Sequence, residues 1–177
     1  NVTQISLACH AGTHVDAPLH FVSNGTAVDQ LSLDVLVGPA IVGSFAPVSE
    51  LQEISVPDME RVLGKTLSAP RVLLRYDWSA RWGDRSFYSK SPFLSHEACK
   101  WLLEHGVRLI GMDTPSPDNP AHSWESGHDS PNHHLFLAND VILLEYLCNL
   151  DQIRSEWVFL VALPLKVCGG DGAPARA

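Results

Sequence analysis

Three histidines and one aspartate crowd into eleven residues near the start of the chain. The densest group of metal-binding side chains in the sequence consists of His10, His14, Asp16 and His20. Gly12 and Pro18 oppose a helix here, so we predict a turn in which even-numbered side chains share one side wherever the backbone is extended. Imidazole and carboxylate ligands suit Zn²⁺, Mn²⁺ or Fe²⁺ better than Ca²⁺ or Mg²⁺. Each histidine taken alone could be an ordinary core or loop residue, but their density favours a metal site.

A second group of possible ligands lies in the last third of the chain. His133, with His134 beside it, precedes Glu145 by twelve positions. On one continuous helix the two side chains would lie about 120° apart, whereas a helix, a turn and a strand could bring them together. The spacing alone leaves both a metal site and an accidental pair open.

The elements that must position these groups are short strands and a few helices. Apolar alternation and turn residues predict strands at 5–9, 35–45 (one bulged or two short), 71–75, 107–112, 141–145 and 157–167. They predict helices at 56–63, at 96–105 with Ser95 as N-cap, and at 133–139, with a proline-rich loop from 113 to about 131. The final strand is expected to end at a glycine-rich turn, 169–172. This order predicts one α/β domain over residues 1–177 with a mixed sheet and few short helices.

Composition excludes several classes of function. The chain has 177 residues, of which 45% are hydrophobic and 18% charged, enough to bury a core. Its formal charge of −8 disfavours nucleic acid and anionic membranes as partners. No apolar run approaches the roughly 20 residues of a membrane span, no leader peptide opens the chain, and four scattered cysteines favour reduced thiols. We therefore expect a soluble, cytoplasmic protein.

The segment from His10 to His20 resembles the signature HxGTHxDxPxH of the cyclase family of metal-dependent hydrolases, which includes bacterial kynurenine formamidases and isatin hydrolases. Further similarity extends through GMDTPSPD at 111–118, the His133 and Glu145 spacing, LPLK at 163–166 and DGAPAR at 171–176. The resemblance implies a swivelling β/β/α fold and a homodimer or larger oligomer. Family members also carry an N-terminal segment with a WPGD-like motif that this sequence lacks.

The resemblance also implies roles for the site residues. His10, His14 and Asp16 match the ligands of a first metal ion, and Asp16 would bridge to a second ion held by His133 and Glu145. Family members with one ion leave the second position empty, so one or two Zn²⁺ or Mn²⁺ ions are expected. His20 matches the position that transfers protons.

The expected reaction is hydrolysis of a small amide by metal-activated water. Aryl formamides of the N-formyl-kynurenine type rank slightly ahead of isatin-type lactams, other small carbonyl compounds are a rival, and a non-catalytic metal or ligand-binding domain is the alternative outside enzymes. Aromatic side chains that could contact an aryl substrate are Phe21, Trp78 and Trp82, with Phe87 and Trp124 as further candidates, although aromatic residues occur in a core more often than in a pocket. Asp113, Asp118 and the turn at 171–174 are expected to support the fold or the site.

Overall fold

The computed structural model describes residues 1–122 and 129–177. The strands are β1 His14–Asp16, β2 Val37–Ser44, β3 Glu53–Ile54, β4 Arg71–Arg75, β5 Phe93–Leu94, β6 Leu109–Met112, β7 Ile142–Glu145, β8 Trp157–Val161, β9 Leu163–Pro164 and β10 Gly172–Arg176. The helices are α1 Leu33–Leu36, α2 Val56–Leu63, α3 Ser86–Ser89, α4 His96–Glu104 and α5 Pro131–Leu137. No helix within these ranges is long and apolar enough to span a membrane.

Eight of the described strands form one mixed sheet in the order β8-β2-β4-β6-β7-β1-β10-β9. The pairs from β2 to β7 are parallel, and the remaining pairs are antiparallel. Strands β8 and β9 stand at opposite ends of this order, yet only Ala162 separates them along the chain. The sheet therefore curls until its two ends meet, and the predicted α/β class with a mixed sheet and short helices is confirmed.

Alternating side chains of the central strands fill two separate cores. Val72 and Leu74 of β4 face a cluster that includes buried residues of α2, α4 and α5, whereas Leu73 faces a second cluster on the inner side of the curled sheet. Leu143 and Leu144 of β7 divide in the same way. Each such buried side chain contributes about 1.5–3 kcal/mol relative to exposure, so the central strands are held from both faces.

Helices α2 and α4 begin at capping residues. The Ala98 N–H donates to Ser95 Oγ at 3.1 Å at the start of α4. The Ser55 N–H donates to Asp58 Oδ2 at 3.1 Å at the start of α2, which ends before Gly64 at φ 85°. These bonds satisfy N–H groups that have no partner inside a helix.

Several predicted elements differ in the structure. Residues 5–9 are not a strand, and Ile5 and Leu7 are 74% and 51% exposed, because no neighbouring strand pairs with them in the described part of the chain. The predicted strand 157–167 divides at Ala162 and ends at Pro164, and α5 starts two residues earlier than predicted. The region 35–45 forms the short helix α1 followed by one strand, and β10 occupies what the sequence suggested was only a turn.

Candidate metal centre

Strand β1 carries the centre of the histidine-rich segment into the middle of the sheet. It lies between β7 and β10, with His14 opposite Glu145 and Asp16 opposite Gly172. Because side chains alternate along a strand, His14 and Asp16 share one face while Val15 points into the inner core. The predicted turn is present before β1, and Gly12 there has φ 64°.

Asp16 Oδ1 is the meeting point of the first group of side chains. His10 Nδ1 lies 2.7 Å and His14 Nε2 3.0 Å from this oxygen. His14 Nδ1 donates to the carbonyl of Gly12 at 2.8 Å, which turns the other ring nitrogen towards Asp16. His14 and Asp16 are each 1% exposed, so the three side chains can converge on one small ion.

The second oxygen of Asp16 faces the other predicted pair. His133 Nε2 lies 3.5 Å from Asp16 Oδ2 and 3.2 Å from Glu145 Oε1. Helix α5 and strand β7 bring His133 and Glu145 together, which is the helix, turn and strand arrangement that their spacing allowed. Asp16, His133 and Glu145 form a second group able to hold an ion, and Asp16 belongs to both groups.

Burial and mutual proximity shift the protonation of these groups. Burial favours a raised pKa for the Asp16 carboxyl, but three surrounding imidazoles lower this pKa well below its usual range. Burial and the charge of Asp16 raise the pKa of Glu145 to about 7. The hydrogen bond to Asp16 raises the pKa of His10 to about 9. The two buried carboxylates therefore favour positive charge beside them. Protons on the neighbouring groups can supply that charge, and a divalent cation could supply it instead.

Two carboxylate oxygens test whether a cation fits. Asp16 Oδ2 and Glu145 Oε1 are fully buried, and neither accepts a well-aligned hydrogen bond from any residue that the structure describes. Buried polar atoms without a partner are costly in native proteins. These oxygens lie among imidazoles, which are ligands of the same divalent metals, so the residues fit such an ion.

His20 lies at the more exposed side of the centre. Its ring stacks on His10 with centroids 4.0 Å apart, and its Nδ1 lies 3.2 Å from Asp171 Oδ2. The same Asp171 oxygen lies 3.1 Å from His10 Nε2. Burial lowers the pKa of His20, so this imidazole is mainly neutral at pH 7. Sequence reasoning gave Asp171 only a supporting role, since 151 residues separate it from His20.

The predicted aromatic contacts separate into different environments. Phe21 packs against the ring of His133, with centroids 5.0 Å apart. Trp82 is 59% exposed and lines a cavity of about 280 Å³ together with Phe87, Tyr146 and the glycine turn before β1.

Trp78 instead lies in the core at 2% exposure, where its indole N–H donates to the Phe87 carbonyl at 3.0 Å. Trp124 lies outside the described residues.

Sequence reasoning missed Tyr146. This residue follows Glu145 directly, adopts φ 56°, and holds its ring 5.4 Å from the ring of His14. Thr13 Oγ1 donates to its carbonyl at 2.6 Å. The one local signal was the position of Tyr146 directly after the predicted ligand Glu145. Its ring both lines the cavity and contacts His14, so Tyr146 links the cavity to the metal centre.

The chain is similar to known proteins in sequence and in fold. Residues 2–119 match the family model Cyclase, described as "Putative cyclase". A kynurenine formamidase of Salinibacter ruber is 40% identical over 185 residues, which cover this whole chain and 78% of the relative. A kynurenine formamidase of Bacillus cytotoxicus is 34% identical over 182 residues with the same coverage. Isatin hydrolase A from Ralstonia solanacearum has a TM-score of 0.82 and 30% identity over 97% of this chain and 72% of that chain.

Proposed function

The chain belongs to the Cyclase family, and on that premise we propose that it hydrolyses the C–N bond of a small aryl formamide of the N-formyl-kynurenine type with a divalent metal ion. Its relatives with known names are amide-hydrolysing enzymes, so the chain is a metal-dependent amidohydrolase. The names of these relatives favour an enzyme over the alternative of a non-catalytic binding domain. The observation that carries the proposal is a pair of buried carboxylate oxygens, Asp16 Oδ2 and Glu145 Oε1, that accept no well-aligned hydrogen bond from the described residues although imidazoles surround them.

The proposed ligands are divided between the two groups that share Asp16. His10, His14 and Asp16 would hold one ion, and His133 and Glu145 with Asp16 would hold a second. We propose Zn²⁺ or Mn²⁺, since both accept nitrogen and carboxylate ligands. A divalent ion in such a site lowers the pKa of water and polarises a carbonyl group.

We propose His20 as the residue that moves protons during the reaction. Asp171 accepts from its Nδ1, which leaves His20 Nε2 free for the substrate side. A neutral imidazole can take a proton from the attacking water and deliver it to the departing nitrogen, a contribution of about 10²–10⁴ in rate. The lowered pKa of His20 favours the base form that the first of these transfers requires.

The aromatic cavity supports an aryl substrate. Trp82, Phe87 and Tyr146 line a space of about 280 Å³ beside the turn that leads into β1. Flat aromatic walls suit a benzene ring through stacked or edge-to-face contacts worth about 0.5–1.5 kcal/mol each beyond burial. Phe21 is proposed as a second contact, on the His133 side of the centre.

An isatin-type lactam is the second candidate substrate. Isatin hydrolases from two bacteria share the fold at a TM-score of 0.82, one with 30% and one with 31% identity. The same centre suits either bond, because both are amides of an aryl nitrogen.

Two assays run side by side test the proposal: formate release from N-formyl-kynurenine and ring opening of isatin. Elemental analysis of the same sample measures its metal content. Turnover of the formamide by protein that carries Zn²⁺ or Mn²⁺ is the expected result. Isatin turnover alone would favour the second candidate. Protein that carries no metal and takes none up would refute the proposed centre.

We also propose a homodimer or larger oligomer, from the resemblance to the family. Trp157, Phe159, Leu163 and Leu165 are apolar and exposed on the outer side of β8 and the residues after it. Exposed apolar patches often mark protein interfaces, and light scattering in solution measures the assembly directly. A cytoplasmic location remains a prediction.

A further inference from the structure

Asp118 is a buried carboxylate that contacts His133 from the side opposite the metal centre. It is 5% exposed, and its Oδ2 lies 2.6 Å from His133 Nδ1. None of its contacts in the described residues involves Asp16 or Glu145. Asp118 therefore approaches the centre only through the imidazole of His133.

The contact fixes which nitrogen of His133 faces the centre. When Nδ1 donates to Asp118, the lone pair of a neutral ring lies on Nε2, the atom nearest to Asp16 Oδ2 and Glu145 Oε1. A carboxylate partner also makes the imidazole a stronger base and ligand. The orientation and the tautomer of His133 thus depend on one buried hydrogen bond.

Asp118 also fixes the backbone that carries His133. Its Oδ1 accepts from the N–H of Asn132 at 2.7 Å, and its Oδ2 accepts from the N–H of His133 at 3.1 Å. The N-cap residue of α5, Ser130, makes no capping bond with its side chain. The side-chain amide of Asn132 donates to the carbonyls of Leu94 and Pro117. These bonds join the proline-rich loop after β6 to the start of α5.

The other histidines of the centre are oriented differently. His14 donates from Nδ1 to the carbonyl of Gly12, and His10 and His20 meet the same oxygen of Asp171. Of these four histidines, only His133 contacts Asp118 in the part of the chain that the structure describes. Loss of Asp118 is therefore expected to affect the group of Asp16, His133 and Glu145 and to spare the group around His10 and His14.

We propose that Asp118 is a positioning residue that sets the affinity of the Asp16, His133 and Glu145 group for a divalent ion by holding His133 with Nε2 towards it. The inference rests on the proposed function, since it requires that this group binds an ion. The side chain acts through His133 and touches no reacting atom. Partners of this kind typically change metal affinity by about 10–100-fold.

A double-mutant cycle on metal affinity separates positioning from general structural support. Mn²⁺ binding is measured by calorimetry on metal-stripped wild type, Asp118→Asn, His133→Ala and the double variant. Asparagine retains one oxygen to accept from the Asn132 N–H but loses the carboxylate partner of His133. We expect Asp118→Asn to weaken Mn²⁺ binding by about 10–100-fold in the wild type and to have no further effect once His133 is absent.

Asp113→Asn is the matched control. Asp113 is another buried carboxylate of the same loop, and its oxygens accept from the N–H groups of Tyr76 and Trp78. Its substitution is expected to leave Mn²⁺ affinity within about twofold of the wild type, an effect too small to be a lost ligand partner. Circular dichroism and thermal unfolding in chelator establish that each variant is folded. If Asp118→Asn does not fold, Asp118→Ser, which also lacks the carboxylate but keeps an oxygen that can accept from an N–H, takes its place in the cycle.

The possible outcomes distinguish this inference from the proposed function. Wild-type affinity in Asp118→Asn, or an equal loss in the presence and absence of His133, would overturn the positioning role while leaving the metal centre intact. A wild type that binds neither Mn²⁺ nor Zn²⁺ would overturn both. The absorption spectrum of Co²⁺-loaded protein provides a second readout, because a change in Asp118→Asn that is absent in Asp113→Asn reports altered coordination.

Discussion

His14 and Glu145 occupy directly opposite positions in the antiparallel pair of β1 and β7, and their side chains approach to 3.6 Å. This register joins the two groups of ligand-type residues, because β1 brings the first group to the strand that ends with Glu145. A shift of one residue would move His14 and Asp16 to the other face of the sheet. The pairing of these two strands is therefore as necessary to the site as the side chains themselves.

The combined substitution of His14→Ala and Asp16→Ala is expected to abolish metal binding. It removes the oxygens shared by both groups and the most buried imidazole. Elemental analysis should find one or two equivalents of Zn²⁺ or Mn²⁺ in the wild type and less than a tenth of this in the variant, since remaining single ligands bind weakly. Retention of wild-type metal content would contradict the assigned ligands.

His20→Ala is expected to keep the metal and lose the reaction. His20 forms a further, more exposed group of possible ligands with His10 and Asp171, but it lies outside the two buried groups that share Asp16. Because the proposed ions are held by those two groups, metal content should stay at the wild-type level. The rate constant kcat for the formamide should fall by about 10²–10⁴-fold, the usual contribution of a general acid and base. His105→Ala, at the end of α4, is the control. Unchanged kcat in His20→Ala would exclude the proton-transfer role.

Trp82→Ala is expected to weaken binding of aryl substrates. Removal of an aromatic wall that contributes about 1.5 kcal/mol should raise KM about tenfold with a smaller effect on kcat. Leu33→Ala removes another exposed apolar side chain, on α1, and should leave KM unchanged. Equal effects of the two substitutions would mean that the cavity is not the substrate pocket.

Asp113 is expected to make stability depend on pH. Burial raises the pKa of its carboxyl to about 6, above its value in the unfolded chain, despite N–H donors from Tyr76 and Trp78. The folded state therefore binds this proton more tightly, and the associated stability is complete below pH 4 and is lost as the pH rises through 6.

The measurement compares urea unfolding of the wild type and Asp113→Asn at pH 4 and pH 7.5. Relative to the variant, the wild type should lose about 3 kcal/mol of unfolding free energy across this range, from about two pKa units. Other titrating groups are common to both proteins and cancel in the difference. A constant difference across the range would refute the raised pKa.

Gly172→Ala tests the close approach of β10 to the centre. A Cβ at this position would lie 2.7 Å from the Val15 carbonyl and 2.7 Å from His10 Cε1. The backbone oxygen is fixed in the sheet, so we expect a loss of about 1–3 kcal/mol in stability and weaker metal binding through displaced His10. Gly170→Ala, whose nearest contacts are at 3.2 Å, should cost less by the same measurements.

The parts of the site that are close in sequence were predictable, and the supporting contacts were not. The segment from His10 to His20 carries its own pattern, and the structure places its even-numbered side chains together. The approach of His133 to Glu145 depends on a helix and a strand whose relative placement no local pattern records. Asp118 lies 15 residues from His133, so sequence suggested support without identifying what it supports.

The incorrect elements have a common physical cause. Alternation at 5–9 is compatible with a strand, but a strand needs a neighbour to satisfy its backbone groups. Conversely, the GAPAR segment of β10 has weak β-propensity, yet it pairs with β1 and β9 because the curled sheet offers both edges. Trp78 and Trp82 have the same residue type and nearly the same position in sequence, and only tertiary packing separates the buried one from the exposed one.

The position of β1 in the sheet determines when the centre can form during folding. This strand precedes the other described strands, and its neighbours β7 and β10 lie more than a hundred residues later. Contacts between such distant segments carry a large loop-closure entropy and form slowly. On a ribosome the histidine-rich segment emerges before its partners have been synthesised, so the core beneath the helices can consolidate first. Chain order thus delays the second group of ligands, because Asp16 can meet His133 and Glu145 only after α5 and β7 have joined the fold.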